Sequence, residues 1–266
     1  MSASALRNRL TTVLLVASVL ALARALWPEG SERTAALYVV VLTLGYGHLF
    51  GAALLGRGNR GLRARGVSTS LRFSVWIVAV GSVLAVYFAM LELPTASLLF
   101  FASPLLVISI WHTVENDAAV VAAYERGFRL GPVARETRLR TLGITGLVAA
   151  SAALLAADEA TFAEVFAVST LYHVFQWLVF LFDRIAARGD RATKAAILRG
   201  VAWSHLPTAL VCAALLLWRS SLPPLAFELV FSPALYLFWS SLHVVHTALA
   251  RSERGEPVAG RAVAAA

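Results

Sequence analysis

Along this chain the apolar residues neither alternate nor return every third or fourth position. They run on in long blocks, and the charged residues gather between them. A helix needs roughly 20 mostly apolar residues to cross the hydrocarbon core of a bilayer. Eight blocks come near or exceed that length, at 10–26, 35–55, 73–91, 96–114, 141–157, 160–182, 200–218 and 225–250. The pattern predicts an all-α, polytopic integral membrane bundle of about eight transmembrane helices, a single transmembrane domain over 1–266 with a flexible tail at 251–266. Only Glu92, Leu93, Pro94 and Thr95 separate the third and fourth blocks, and only Asp158 and Glu159 the fifth and sixth, so both pairs read as tight hairpins. The first segment, 1–26, has a second reading: Arg7 and Arg9, the apolar run and then Ala21, Leu22 and Ala23 also fit a cleavable signal peptide. The second block enters the membrane from outside in either case.

Charge placement orients the bundle. With the blocks taken as alternating spans, twenty of the 23 Lys and Arg residues fall on the side of the N-terminus, and Arg24, Arg33 and Arg219 on the other. Short loops rich in Lys and Arg stay in the cytoplasm. Both termini are therefore expected to be cytoplasmic, in a membrane of the bacterial inner type. The net charge of +8 then reports topology and not nucleic-acid binding, because the basic residues lie between apolar blocks and not on one solvated patch. The same loops would attract anionic lipid headgroups.

Composition narrows the chemistry. At 59% apolar and 14% charged the chain departs from the roughly 45–50% and 25% of soluble domains. Cys212 is the single cysteine, which excludes an internal disulfide and any cysteine-built zinc or iron–sulfur site. The glycine-rich loop Gly56-Arg57-Gly58-Asn59-Arg60-Gly61 lacks the Lys-Ser/Thr ending of a phosphate cradle. Gly47 and Gly51 form a small-xxx-small pair that admits a neighbouring helix.

The histidines carry the functional signal. All six fall inside or at the end of the blocks. His48, His112, His173 and His243 stand toward the cytoplasmic ends of the second, fourth, sixth and eighth, and His205 comes six residues after Arg199 at the cytoplasmic start of the seventh. At 1.5 Å per residue these positions share a layer on the order of 10 Å thick. A single histidine near a span end reads equally well as a hydrogen-bonded interfacial residue; ionisable groups within a membrane are otherwise costly and mark function. His243 and His246 are three residues apart and share a helical face, and His112 with Glu115 and His173 with Gln176 repeat that spacing. Such pairs on inward faces build carboxylate–histidine metal sites in helical bundles. The expected metal ligands are His48, His112, His173, His243 and His246. Glu115, Asp117, Gln176 and His205 are expected as further ligands or as partners that orient one. A thiolate-free imidazole set suits iron, and less specifically zinc or copper.

The remaining polar and aromatic residues divide by depth. Glu164 and Glu228 lie a few residues into their blocks from the outer side, where they are expected to pair or snorkel. Tyr46, Trp111, Tyr172, Trp177, Trp203 and Trp239 cluster near the histidine level, mostly as an interfacial belt. An aromatic pocket for a lipid substrate is the sharper alternative.

The element His112-Thr113-Val114-Glu115-Asn116-Asp117, a His-x4-Asp pattern at a span end, resembles a motif of the Brp/Blh-type membrane β-carotene dioxygenases. His48 after Gly45-Tyr46-Gly47 is similar to the first histidine motif of that family. The resemblance covers these windows alone. Where the family's later histidine pair is expected near His173, this chain has Gln176 and Trp177, and its pair is His243 and His246. The resemblance implies a polytopic helical enzyme that cleaves a carotenoid with O2 and iron.

The expected function is thus a multi-pass membrane metalloenzyme, a non-haem Fe2+ oxygenase, desaturase or hydroxylase acting on a carotenoid, isoprenoid or lipid. Its partners would be membrane lipids, a lipid-soluble substrate and O2, with no nucleic acid. A single-haem b-type cytochrome is the alternative, and a metal or proton transporter ranks behind it. An electron relay across the bilayer needs haem ligands on both sides, and a transporter needs polar groups through the whole width. The histidines keep to one half.

Overall fold

The computed structural model describes residues 2–28, 30–56, 95–128, 159–187 and 191–218, with Gly143, Ile144, Gly146, Ser221, Phe231, Tyr236, Leu237, Ser240 and His243. The expected third span at 73–91, most of the fifth and eighth, the bends at 92–94 and Asp158, His246 and the tail at 251–266 lie outside these residues. Among the described residues there are five helices and no strand: α1 (Ala3–Leu26), α2 (Gly30–Gly56), α3 (Thr95–Glu125), α4 (Glu159–Ala187) and α5 (Arg191–Leu217). Phe231, Tyr236, Leu237, Ser240 and His243 are helical as well. The chain is therefore all-helical where described. The apolar blocks 10–26, 35–55, 96–114 and 160–182 lie wholly within α1 to α4, and α5 stops one residue short of the end of 200–218.

Three described stretches, Ala3–Leu26, Thr161–Ala187 and Ile197–Leu217, are long and apolar enough to cross a membrane. Half of the apolar window in α4 is buried, against 17% in α1 and in α5. That difference ranks the helices. α4 touches each of the other four, α2 packs mainly on α5 and α4, and α1 and α5 turn large apolar side chains outward. Leu10, Leu14 and Leu22 on α1, and Leu206, Leu210 and Leu217 on α5, are exposed. In water such faces would make a large adhesive patch; against acyl chains they are ordinary solvent contact. Trp203 on α5 and Trp218 just past its end, 71% and 64% exposed, stand fifteen residues apart. That is about 22 Å along the axis, a separation suited to the two aromatic belts of a bilayer.

α1 is tied to the bundle at both ends. Ser2 caps its start, the side-chain oxygen accepting from the Ala5 N–H at 3.3 Å. Arg7 pairs with Asp183 near the end of α4 at 2.9 Å, and Arg24 donates to Glu164 near the start of α4 at 3.1 Å, so α1 and α4 run antiparallel. Arg33 of α2 stands 3.9 Å from the same Glu164, which is thus paired as its sequence position anticipates. Between these ends Asn8, buried, donates to the Tyr124 hydroxyl at 3.0 Å and to the Gln176 carbonyl at 3.4 Å. Polar bonds of this kind join helices in a medium that offers no water as a competing partner.

The interior is layered. One apolar cluster joins Val16 of α1, Leu37, Val41 and Leu42 of α2, Leu106 and Ile110 of α3, Phe162, Phe166 and Leu171 of α4, and Tyr236 and Leu237. A second joins Ala5, Val120, Ala123, Tyr124 and Phe180. Residues Gly127 and Phe128 end α3 in the left-handed region, at φ 61° and 64°. The turn lets the Phe128 N–H donate to the Ala123 carbonyl at 2.7 Å and lays its ring on Tyr124 and Phe180 in the second cluster. Along α1, α3 and α4 a set of polar residues falls between the two clusters: Asn8, Arg9 and Thr12; His112, Thr113, Asn116 and Asp117; His173 and Gln176.

The ion pair of this layer differs from its neighbour in burial. Arg9 and Asp117 have side chains 37% and 15% exposed, whereas Arg7 is 65% exposed. Arg9→Ala is expected to lower stability by about 2 kcal/mol, between the roughly 1 kcal/mol of an exposed pair and the 3–5 kcal/mol of a buried pair broken on one side. Arg7→Ala is expected to cost less than about 1 kcal/mol. Unfolding of the detergent-solubilised variants checks the order, and equal losses would contradict it.

Candidate metal centre

The polar layer brings four imidazoles together from four separate helical segments. The ring centroids of His48 and His173 are 4.5 Å apart, those of His112 and His173 5.0 Å, His112 and His243 5.5 Å, and His48 and His243 5.8 Å. Nε2 of His48 and Nε2 of His173 stand 2.9 Å apart. Of the five histidines predicted as ligands, these four meet; His246 lies outside the described residues.

Asn116, one helical turn beyond His112, bridges the rings. Its Nδ2 is 2.9 Å from Nε2 of His112 and 3.4 Å from Nδ1 of His173. With the amide nitrogen turned to the rings, both ring atoms accept. His173 then carries its proton on Nε2 and donates to His48. With the amide turned over, its oxygen accepts from both rings and the donor in the His48–His173 contact reverses. One amide orientation thus fixes the tautomers of three neutral imidazoles together.

Among the described residues no three His, Cys, Asp or Glu side chains stand in an arrangement that could hold a metal ion as placed. The hydrogen bonds give a physical reason, since the ring nitrogens point at one another and at Asn116. Seating an ion between His48 and His173 requires both Nε2 lone pairs, hence a proton on Nδ1 of His173 and the oxygen of Asn116 facing it.

The acidic and amide candidates of the layer do other work. Asp117 accepts from Arg9, from the Tyr172 hydroxyl at 3.0 Å and from Nε2 of Gln176. Its bonds tie α1 to α3 and α4, and Gln176 connects it to the turn that carries His173. The Gln176 side-chain oxygen is buried and has no hydrogen-bond partner among the described residues. Glu115 lies partly buried on α3.

His205 stands apart from the ring cluster but close to it. It packs against Gly47, the residue before His48, where a Cβ would come within 2.6 Å of its Cδ2. Gly45 receives the ring of Tyr236 in the same way, which stacks edge-on against Tyr46 at 5.3 Å. Gly45 and Gly47 thus each admit a neighbour, as expected for Gly47, and the surroundings of Gly51 lie outside the described residues. The aromatics of this level divide: Tyr46 and Tyr172 turn into the bundle, while Trp203 faces outward.

Sequence reasoning placed the histidines but passed over Asn116 as a site residue. The available signal was its i+4 spacing from His112, which puts both on one helical face. The chain matches no family model, no curated protein and no solved structure.

Asn116→Leu removes the partner of two buried ring nitrogens at roughly 1–2 kcal/mol each, so a loss of about 2–4 kcal/mol in stability is expected. Asn116→Asp, which accepts from both rings once their tautomers reverse, is expected to lose less. Unfolding of the two variants side by side checks this, and equal stabilities would contradict the bridge.

Proposed function

We propose that the chain is a multi-pass membrane metalloenzyme, a non-haem iron oxygenase acting on a lipid-soluble carotenoid, isoprenoid or lipid. The ligands are His48, His112, His173 and His243, and His246 joins them by its sequence spacing of three from His243. The observation that carries the reading is the meeting of four imidazoles from separate helical segments inside a polar layer closed by apolar clusters on both sides. A set of imidazole donors without thiolate fits iron.

Iron held in this way would supply the redox chemistry with O2. The chain's own residues supply the rest: Asn116 sets the ring tautomers, the apolar clusters exclude water, and the outward apolar faces keep the bundle in contact with the bilayer that holds the substrate. Eight spans with both termini in the cytoplasm complete the proposal, in a membrane of the bacterial inner type. Two facts support it: the bias of Lys and Arg across the loops, and the N-terminal end of α1 lying beside the C-terminal ends of α3 and α4. We read α1 as a resident span for the same reason.

Purified protein is expected to carry about one iron per chain with the visible spectrum of a non-haem centre. His48→Ala and His173→Ala are each expected to lose most of it. Asn116→Asp, which stabilises the Nδ1 proton of His173, is expected to tighten metal binding by about ten-fold. Metal analysis and absorbance check all three. Iron retained by both histidine variants would overturn the site, and a haem Soret band would overturn the iron form.

A further inference from the structure

His205 lies on α5, outside the set of rings in mutual contact, and its chemistry is preset. Its Nδ1 is 3.1 Å from the Val201 carbonyl oxygen and 2.9 Å from the Ser204 hydroxyl oxygen. The carbonyl only accepts, so the ring proton sits on Nδ1 and the lone pair on Nε2. That Nε2 is buried and has no hydrogen-bond partner among the described residues. A ring tied through one nitrogen to a backbone carbonyl, with the other bare, is the state of a metal-ligating histidine. The neighbouring structure holds the ring in place: Gly47 offers no Cβ, so α5 approaches α2 until the ring lies across the residue next to His48.

We propose that Nε2 of His205 is a further nitrogen donor to a divalent transition-metal ion in this layer, entering from α5 beside His48. The inference rests on the metal reading above and adds a fifth helical segment to it. It would add a nitrogen to those of His48, His112, His173 and His243. The bare lone pair, which nothing in the hydrogen-bonded cluster uses, then has a function.

Cobalt(II) titrated into the metal-stripped, detergent-purified full chain tests this, because its visible bands follow the donor set. His205→Ala and His205→Gln are both expected to weaken cobalt binding by about ten-fold or more and to shift the bands. Gly47→Ala is expected to do the same with every histidine in place, since the new methyl would displace the ring. His173→Ala serves as the reference for the centre itself. If the two His205 variants bind cobalt within about two-fold of wild type with unchanged bands while His173→Ala has lost it, His205 is not a donor and the centre stands. If His173→Ala also binds as wild type, the centre and the inference fall together. Should His205→Ala fail to fold, His205→Gln, which keeps a polar side chain on the helix, decides the question alone.

Discussion

Two imidazole nitrogens 2.9 Å apart cannot both present lone pairs to each other. A proton or a cation must stand between them. Water is absent from the hydrocarbon region, so the cost of an unmatched pair falls wholly on the protein. The contact between His48 and His173 thus constrains its surroundings. The proton on one ring dictates the proton on the next through Asn116, and a change at any member changes the others. A set of neutral rings arranged in this way is stable as a hydrogen-bonded cluster. On the metal reading it would become a ligand set were one tautomer to shift and a cation to replace the shared proton.

The layered interior follows from the same constraint. The polar storey is tolerable because it is thin, internally bonded and closed on both sides by well-packed apolar clusters. α1 contributes to it through Asn8 and Arg9, and Arg9 keeps Asp117 paired where a bare carboxylate would be costly. Asp117 in turn gathers Tyr172 and Gln176, so the ends of α3 and α4 that carry the rings share one anchor. Gly47 lets α5 reach the same level from the opposite side. The helices converge where the polar groups are, although their outward faces are almost wholly apolar.

The helices themselves are legible in the sequence because a hydrocarbon solvent leaves a coarse mark: long apolar blocks, with each described block inside a helix. That four of the histidines share a level is legible for the same reason, since residues per helix convert directly into ångströms along its axis. Which side chains face one another is not, because blocks apolar on every side give no amphipathic stripe to orient them. Asn116 and Asp117 are adjacent in sequence, yet one bridges the rings and the other holds Arg9, and a helical rotation of 100° makes the difference. Asp117 is readable as a partner of a histidine, but Arg9, more than a hundred residues away in the chain, takes it instead. The role of Gly47 depends on a ring from α5, and no local pattern announces that.

X-ray absorption at the iron edge of the purified, untreated protein addresses the central claim most directly. The account predicts a first shell of nitrogen at about 2.1 Å, with the outer-shell scattering of several imidazoles and no sulfur. A porphyrin pattern, a shell made of oxygen alone, or protein that contains no stoichiometric metal would contradict it.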